Sequence, residues 1–203
     1  MKKSTLAVLL LAGLAAQSAS AADWFVRGGL TNVNPDSDNG SLAGGTLDTS
    51  INSNTQLGLT VGYHLSPSVA IEVLAATPFS HDVSLNGAKA GSFKHLPPTV
   101  SLQYYFNADG KVSPFVGAGL NYTWTFSEDS KTGGPISGTD LSIGNSFGFA
   151  GQLGLRFAAS KDWDVVVDAR YIDISADVSV NGTKVGSASV DPMVYSIMVG
   201  KRF

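Results

Sequence analysis

A chain of 203 residues without a cysteine is long enough for one domain, and it excludes both a disulfide framework and a thiolate metal site. Only 14% of the residues are charged and the formal charge is −3. A nucleic-acid partner needs a basic face, so none is expected.

Residues 1–21 read as a cleaved export signal. Lys2 and Lys3 make a basic start, and residues 6–16 make an apolar core. That core is too short to cross a bilayer as a helix, which takes about 20 residues. Ala19-Ser20-Ala21 supplies the small residues of a cleavage site. The mature unit is then residues 22–203, with 11 basic against 16 acidic residues, a formal charge of −5. Beyond Ala22 no apolar run is long enough for a membrane helix, and the recurring period is two.

Residues 24–30 place Trp24, Val26 and Leu30 on one face, against Phe25, Arg27 and Gly29. Residues 34–54 are rich in Asn, Asp, Gly, Ser and Thr and read as a long loop. In it, Asp36, Asp38 and Gly40 hint at a calcium loop. The glycine falls one place early and Leu47 stands where the bidentate glutamate belongs, so that reading is rejected. Residues 56–65 set Leu57, Leu59, Val61, Tyr63 and Leu65 against Gln56, Gly58, Thr60, Gly62 and His64, and Ser66-Pro67-Ser68 turns the chain.

Residues 69–79 and 95–106 form the third and fourth strands, joined by a polar connection over 80–94 that contains Asn86-Gly87. Pro78, Pro97 and Pro98 interrupt both arms near the same end. His81, Asp82 and His95 could meet there; they read as ordinary polar loop residues rather than a metal site. Residues 112–127, 146–159, 163–176 and 195–203 resume the alternation, with turns at 107–110 and 160–162, polar loop over 128–142, and a hairpin signal at Asn181-Gly182.

Eight strands and seven links result, and the second, fourth and sixth links are the tight ones. The fold class expected is all-β: an eight-stranded antiparallel transmembrane β-barrel with short periplasmic turns and longer extracellular loops. A soluble barrel buries its apolar face, whereas here the apolar face carries Trp, Tyr and Phe, with Trp24, Trp124, Trp163 and Tyr195 as lipid anchors. The opposite face carries Arg27, Glu72, Arg156, Asp168, Arg170 and Arg202, which suit a polar lumen and are expected to pair there. Leu74, Phe115, Ile172 and Ile174 fall on that otherwise polar face as an apolar path or a plug, and the two readings stand level. Export and barrel patterning together point to the outer membrane of a Gram-negative bacterium. The partners expected are outer-membrane lipid and the barrel-assembly machinery, the latter through C-terminal Phe203.

Several strings resemble the OmpW family of small outer-membrane barrels: residues 57–63 (LGLTVGY), 74–79 (LAATPF) with His81, 95–99 (HLPPT), 114–122 (PFVGAGLNY), 151–154 (GQLG), 171–174 (YIDI) and Asp191-Pro192. The resemblance spans nearly the whole mature chain, and the proline-bearing strings are its most specific part. It implies a barrel that passes small hydrophobic molecules and releases them sideways through its wall. It also implies that some members act as bacteriocin receptors.

Physical reasoning places such an exit where the strand ladder is weak. Proline donates no ladder hydrogen bond, so Pro78, Phe79, Pro97 and Pro98 mark the expected lateral exit; from the residues alone, prolines that merely end the strands explain the pattern equally well. The function expected is a passive channel for small hydrophobic solutes that needs no cofactor. The alternative is a structural barrel whose loops receive a bacteriocin, phage or host partner. No strand presents a nucleophile, base and orienting carboxylate together, so no enzyme is expected.

Overall fold

A computed structural model describes residues 23–203; the segment read as an export signal lies outside the described residues. The strands, in chain order, are β1 (Trp24–Asn34), β2 (Ser41–Leu42), β3 (Leu47–Ile51), β4 (Asn54–Ser66), β5 (Val69–Ala76), β6 (Phe79–Leu85), β7 (Ala88–Leu96), β8 (Thr99–Tyr105), β9 (Val112–Ser130), β10 (Leu141–Ile143), β11 (Ser146–Ala158), β12 (Trp163–Ile172), β13 (Ser175–Val180), β14 (Thr183–Ser189) and β15 (Met193–Arg202).

Eight of them, β1, β4, β5, β8, β9, β11, β12 and β15, pair antiparallel in that order. The ring closes where β1 meets β15, from Phe25 opposite Arg202 to Asn34 opposite Met193. Closure removes the unpaired edges that lipid would not tolerate. The tight links β4–β5, β8–β9 and β11–β12 share one end with both termini of the barrel, the periplasmic end.

The alternation along these strands is inside-out relative to a soluble protein. Leu57, Phe149 and Leu153 are more than 60% exposed on the outer wall, whereas Arg27, Glu72 and Arg170 are buried inside it. Aromatic side chains flank the apolar belt: Trp24 packs edge-on against Tyr63 below, and Trp124 lies beside Phe126 above.

The links over 34–54, 80–94 and 128–142, expected as polar loops, contain much additional strand, and the hairpin signalled by Asn181-Gly182 forms between β13 and β14. β3 pairs with β6, β6 with β7, and β7 with the upper part of β9, so the barrel wall continues beyond the membrane. β10, β13 and β14 build a second sheet beside it. In this extension the alternation reverses: Leu85, Ala90 and Phe93 point inward, while Ser80, Lys89 and Lys94 face water. The physical reason is that the outer wall meets lipid below and water above, so the apolar face changes sides. Asn86 and Gly87 turn the β6–β7 hairpin with φ of 49° and 79°, the two positive values a tight I′ turn requires.

Candidate functional site: the barrel lumen and its upper seam

The lumen is layered. At the periplasmic end Phe25, Ala70, Tyr105, Phe115 and Val166 form an apolar floor. Phe25 lies directly over Gly62: a Cβ there would stand 2.0 Å from the ring, so only glycine leaves room. Phe115, expected in an apolar path or a plug, belongs to this floor, because its place on β9 is near the periplasmic turn.

Above the floor a closed ring of polar side chains crosses the barrel. Arg27 Nη1 donates to Glu72 Oε2 at 2.9 Å, and Arg170 Nη2 donates to Glu72 Oε1 at 3.0 Å. Arg170 also lies 3.9 Å from Asp168 Oδ1. Gln152 Nε2 donates to Asp168 at 3.0 Å, and Gln103 Nε2 to Gln152 Oε1 at 3.0 Å. Tyr105 Oη donates to Gln103 at 2.7 Å and accepts from Arg27 Nη2 at 3.3 Å, which completes the ring. Asp164 adds a second carboxylate to Arg27 at 3.4 Å.

Four of the six charges expected in the network, Arg27, Glu72, Asp168 and Arg170, meet here. Arg156 and Arg202 do not. Arg156 sits lower, donating to the Ala108 carbonyl and to Ser113 Oγ, and Arg202 reaches the carbonyls of Ser160 and Lys161 at the turn. Both lie too near the periplasmic rim to reach Glu72. Asp164, Gln103, Gln152 and Tyr105 were missed. All four fall on the inward phase, and that phase was the only available signal for the three neutral ones.

Higher still, Val33, Phe79, Ala150, Ile172, Ile174, Val190 and Val194 form an apolar band, with Leu74 buried nearby on the inner wall. Phe79, expected at the wall opening, is buried in this band. Above the band opens a cavity of about 200 Å³, lined almost wholly by apolar side chains of the extension.

His95 lines it, with His81 packed beside His95. Their Nε2 atoms are 3.0 Å apart, and His81 Nδ1 lies 2.5 Å from the Asn52 carbonyl oxygen. Both histidines lie in the extension, outside the membrane-spanning segments, and burial lowers both pKa values, that of His95 to about 3. Asp82, grouped with them in the sequence, points outward to Lys89 at 2.6 Å. Among the described residues no three metal-ligating side chains converge.

The wall beside this region is broken along one seam. The β5–β8 ladder runs from Val69 opposite Tyr104 to Leu74 opposite Thr99, and pairing resumes only at Phe79 opposite His95. Between these rungs residues 75–78 face residues 96–98 unpaired. Both segments are held on their far sides: Thr77 N donates to Leu57 O at 2.9 Å, and Tyr122 N donates to Pro98 O at 3.1 Å. Amides along a strand point alternately to its two neighbours. The nitrogens of Pro78 and Pro97 therefore face the seam, and that of Pro98 faces β9. Pro97 is buried, while Pro78 and Pro98 are exposed.

The OmpW family model matches residues 20–203. The chain belongs to the OmpW family. It is 37% identical over 212 residues to outer membrane protein W of Escherichia coli, with all of both chains covered. Its fold matches the crystal structure of the outer membrane protein OprG from Pseudomonas aeruginosa with a TM-score of 0.78 at 33% identity, over 90% of this chain and 96% of that one. It is also similar to a dibenzothiophene metabolism operon protein, PahQ, of Pseudomonas aeruginosa, at 28% identity over 199 residues, covering 91% of this chain and 90% of that protein. As an OmpW-family barrel the protein resides in the outer membrane of a Gram-negative bacterium.

Proposed function

We propose that this OmpW-family protein is a passive channel for small hydrophobic molecules, which enter the upper cavity and leave sideways into the membrane between β5 and β8. The observation that carries the reading is the interrupted ladder between Leu74–Thr99 and Phe79–His95, level with the change from apolar cavity to polar lumen. Below that level the polar ring and the apolar floor fill a narrow barrel, so a solute continuing straight down would have to displace buried ion pairs. Sideways it meets lipid. The family relation to a protein of a dibenzothiophene metabolism operon agrees with a hydrophobic cargo.

The prolines give a test with an internal control. Restoring donors on the seam with the double variant Pro78→Val, Pro97→Val should knit the ladder and slow uptake of a hydrophobic fluorescent probe by intact cells several-fold. Pro98→Val adds a donor toward β9 and should leave uptake unchanged. Equal uptake by the wild type and a correctly folded double variant would rule out release at this seam.

A further inference from the structure

The outer rim of the upper cavity is built from the turns of the extension. Ala43 in the turn after β2, Ala90 near the β6–β7 turn and Val185 near the β13–β14 turn all line the cavity. These parts of the rim are braced to their neighbours. Ala43 N donates to Val185 O at 3.0 Å. The β6–β7 turn is tied to β3, with Asn86 N donating to Asp48 O and Asp48 N to Asn86 Oδ1, each at 2.9 Å.

Residues 131–140, between β9 and β10, close the rest of the rim. Their two ends are fastened. Lys131 N donates to Ala90 O at 2.7 Å, and Asp140 exchanges two hydrogen bonds with Asn181 at the β13–β14 turn, at 2.8 and 2.9 Å. The segment therefore runs from one hairpin tip to the other. Between its ends the bonding turns in on itself: Gly134 N donates to Lys131 O, Ser137 N to Gly134 O, Thr139 N to Ile136 O, and Gly133 N to Ser137 Oγ. Among the described residues, every hydrogen bond of residues 132–138 ends within 131–139.

What seats the middle of this span is apolar. Of the segment only Ile136 lines the cavity, half-buried against the cluster that contains Leu42 and Leu141. Pro135 beside it is exposed. The span keeps its own hydrogen bonds whether or not Ile136 is seated, so lifting it costs the contacts of one side chain. Few buried apolar contacts and no bracing bonds are the marks of a locally opening segment. A hydrophobic solute replaces the contacts that Ile136 gives up, whereas a hydrated ion would have to shed its water to do so.

We propose that residues 132–138 form a lid over the outer mouth of the cavity and that Ile136 is its latch, displaced by a hydrophobic solute as it enters. This deepens the channel reading and rests on it for what the lid admits, but opening is measured without transport.

The chain has no cysteine, so a single thiol placed in the cavity reports access to it. Val178 is buried and lines the cavity, and Val178→Cys changes its size little. The test uses this full mature barrel in lipid bilayers with two reagents: a trimethylammonium methanethiosulfonate, confined to water, and N-dodecylmaleimide, confined to lipid. Adding Ile136→Ser should speed labelling from water about tenfold, as the hold of one apolar side chain is lost. Labelling from lipid should stay unchanged. Ile136→Ala should accelerate labelling from water in the same sense, and Ile136→Leu, which keeps an apolar latch, should label at the parent rate. Parent-rate labelling from water in a folded Ile136→Ser or Ile136→Ala barrel would overturn the lid, and so would acceleration by Ile136→Leu. The seam is judged separately: lateral release predicts that Pro78→Val with Pro97→Val slows labelling from lipid and not from water, and failure there leaves the result for the lid standing.

Discussion

His81 and His95 illustrate how far single residues could be read. Their sequence positions place both at one end of the hairpin, and there they meet. The chain could not announce that the meeting place is buried beside an apolar cavity, because the side chains around it come from strands far apart in sequence. The same burial makes a pH prediction. The ordinary histidine pKa is 6.5 and that of His95 falls to about 3, so the folded extension resists protonation that the opened hairpin accepts. Stability of the extension is therefore full above about pH 6.5 and declines as pH falls toward 3, by about 2 kcal/mol at pH 5. His81, also lowered by burial, acts in the same direction, and Asp82, the nearest carboxylate on β6, offsets part of its shift. Amide protection factors in β6 and β7, taken relative to intrinsic exchange at each pH, should fall between pH 6.5 and 5 while those in β11 and β12 do not. Uniform exchange across both regions would contradict it.

At the scale of elements, the eight spans were legible because lipid forces a strict apolar–polar alternation on each, as in β4 or β11. The upper strands were obscured because their alternation runs in the opposite sense and is diluted by Ser, Gly and Asp facing water. Residues 80–94 show why: Leu85, Ala90 and Phe93 carry a regular inward pattern, yet Ser84, Asn86 and Gly87 dominate the reading. Register across the hairpin is pinned by its turn, so that turn is where the extension can be tested alone. Gly87→Val places a β-branched residue at φ 79° and should destabilise the hairpin by roughly 1–3 kcal/mol. Protection from exchange should fall in β6 and β7 and persist in the membrane strands. Loss of protection throughout the barrel would mean that the two parts fold as one unit.

On the proposed lateral route, the prolines and the polar ring act as one device across the whole molecule: the seam would be the way out because the ring blocks the lumen below it. Glu72 is its keystone, taken up between Arg27 from β1 and Arg170 from β12, and it is 3% exposed. Glu72→Leu would leave two buried guanidinium groups facing each other with Asp164 and Asp168 at the margins, at a cost of about 3–5 kcal/mol. Urea unfolding in bilayers should register that loss, and Glu72→Gln, whose Oε1 can still accept from one of the two guanidinium groups, should fall between. Uptake separates the routes. Lateral release above the ring predicts that a folded Glu72→Gln barrel carries hydrophobic probe at the wild-type rate. A route straight down the axis predicts a change, since every solute would pass the altered ring. Altered uptake in Glu72→Gln, together with unaltered uptake in the proline variant, would move the exit from the wall to the periplasmic floor beneath Tyr105 and Phe115.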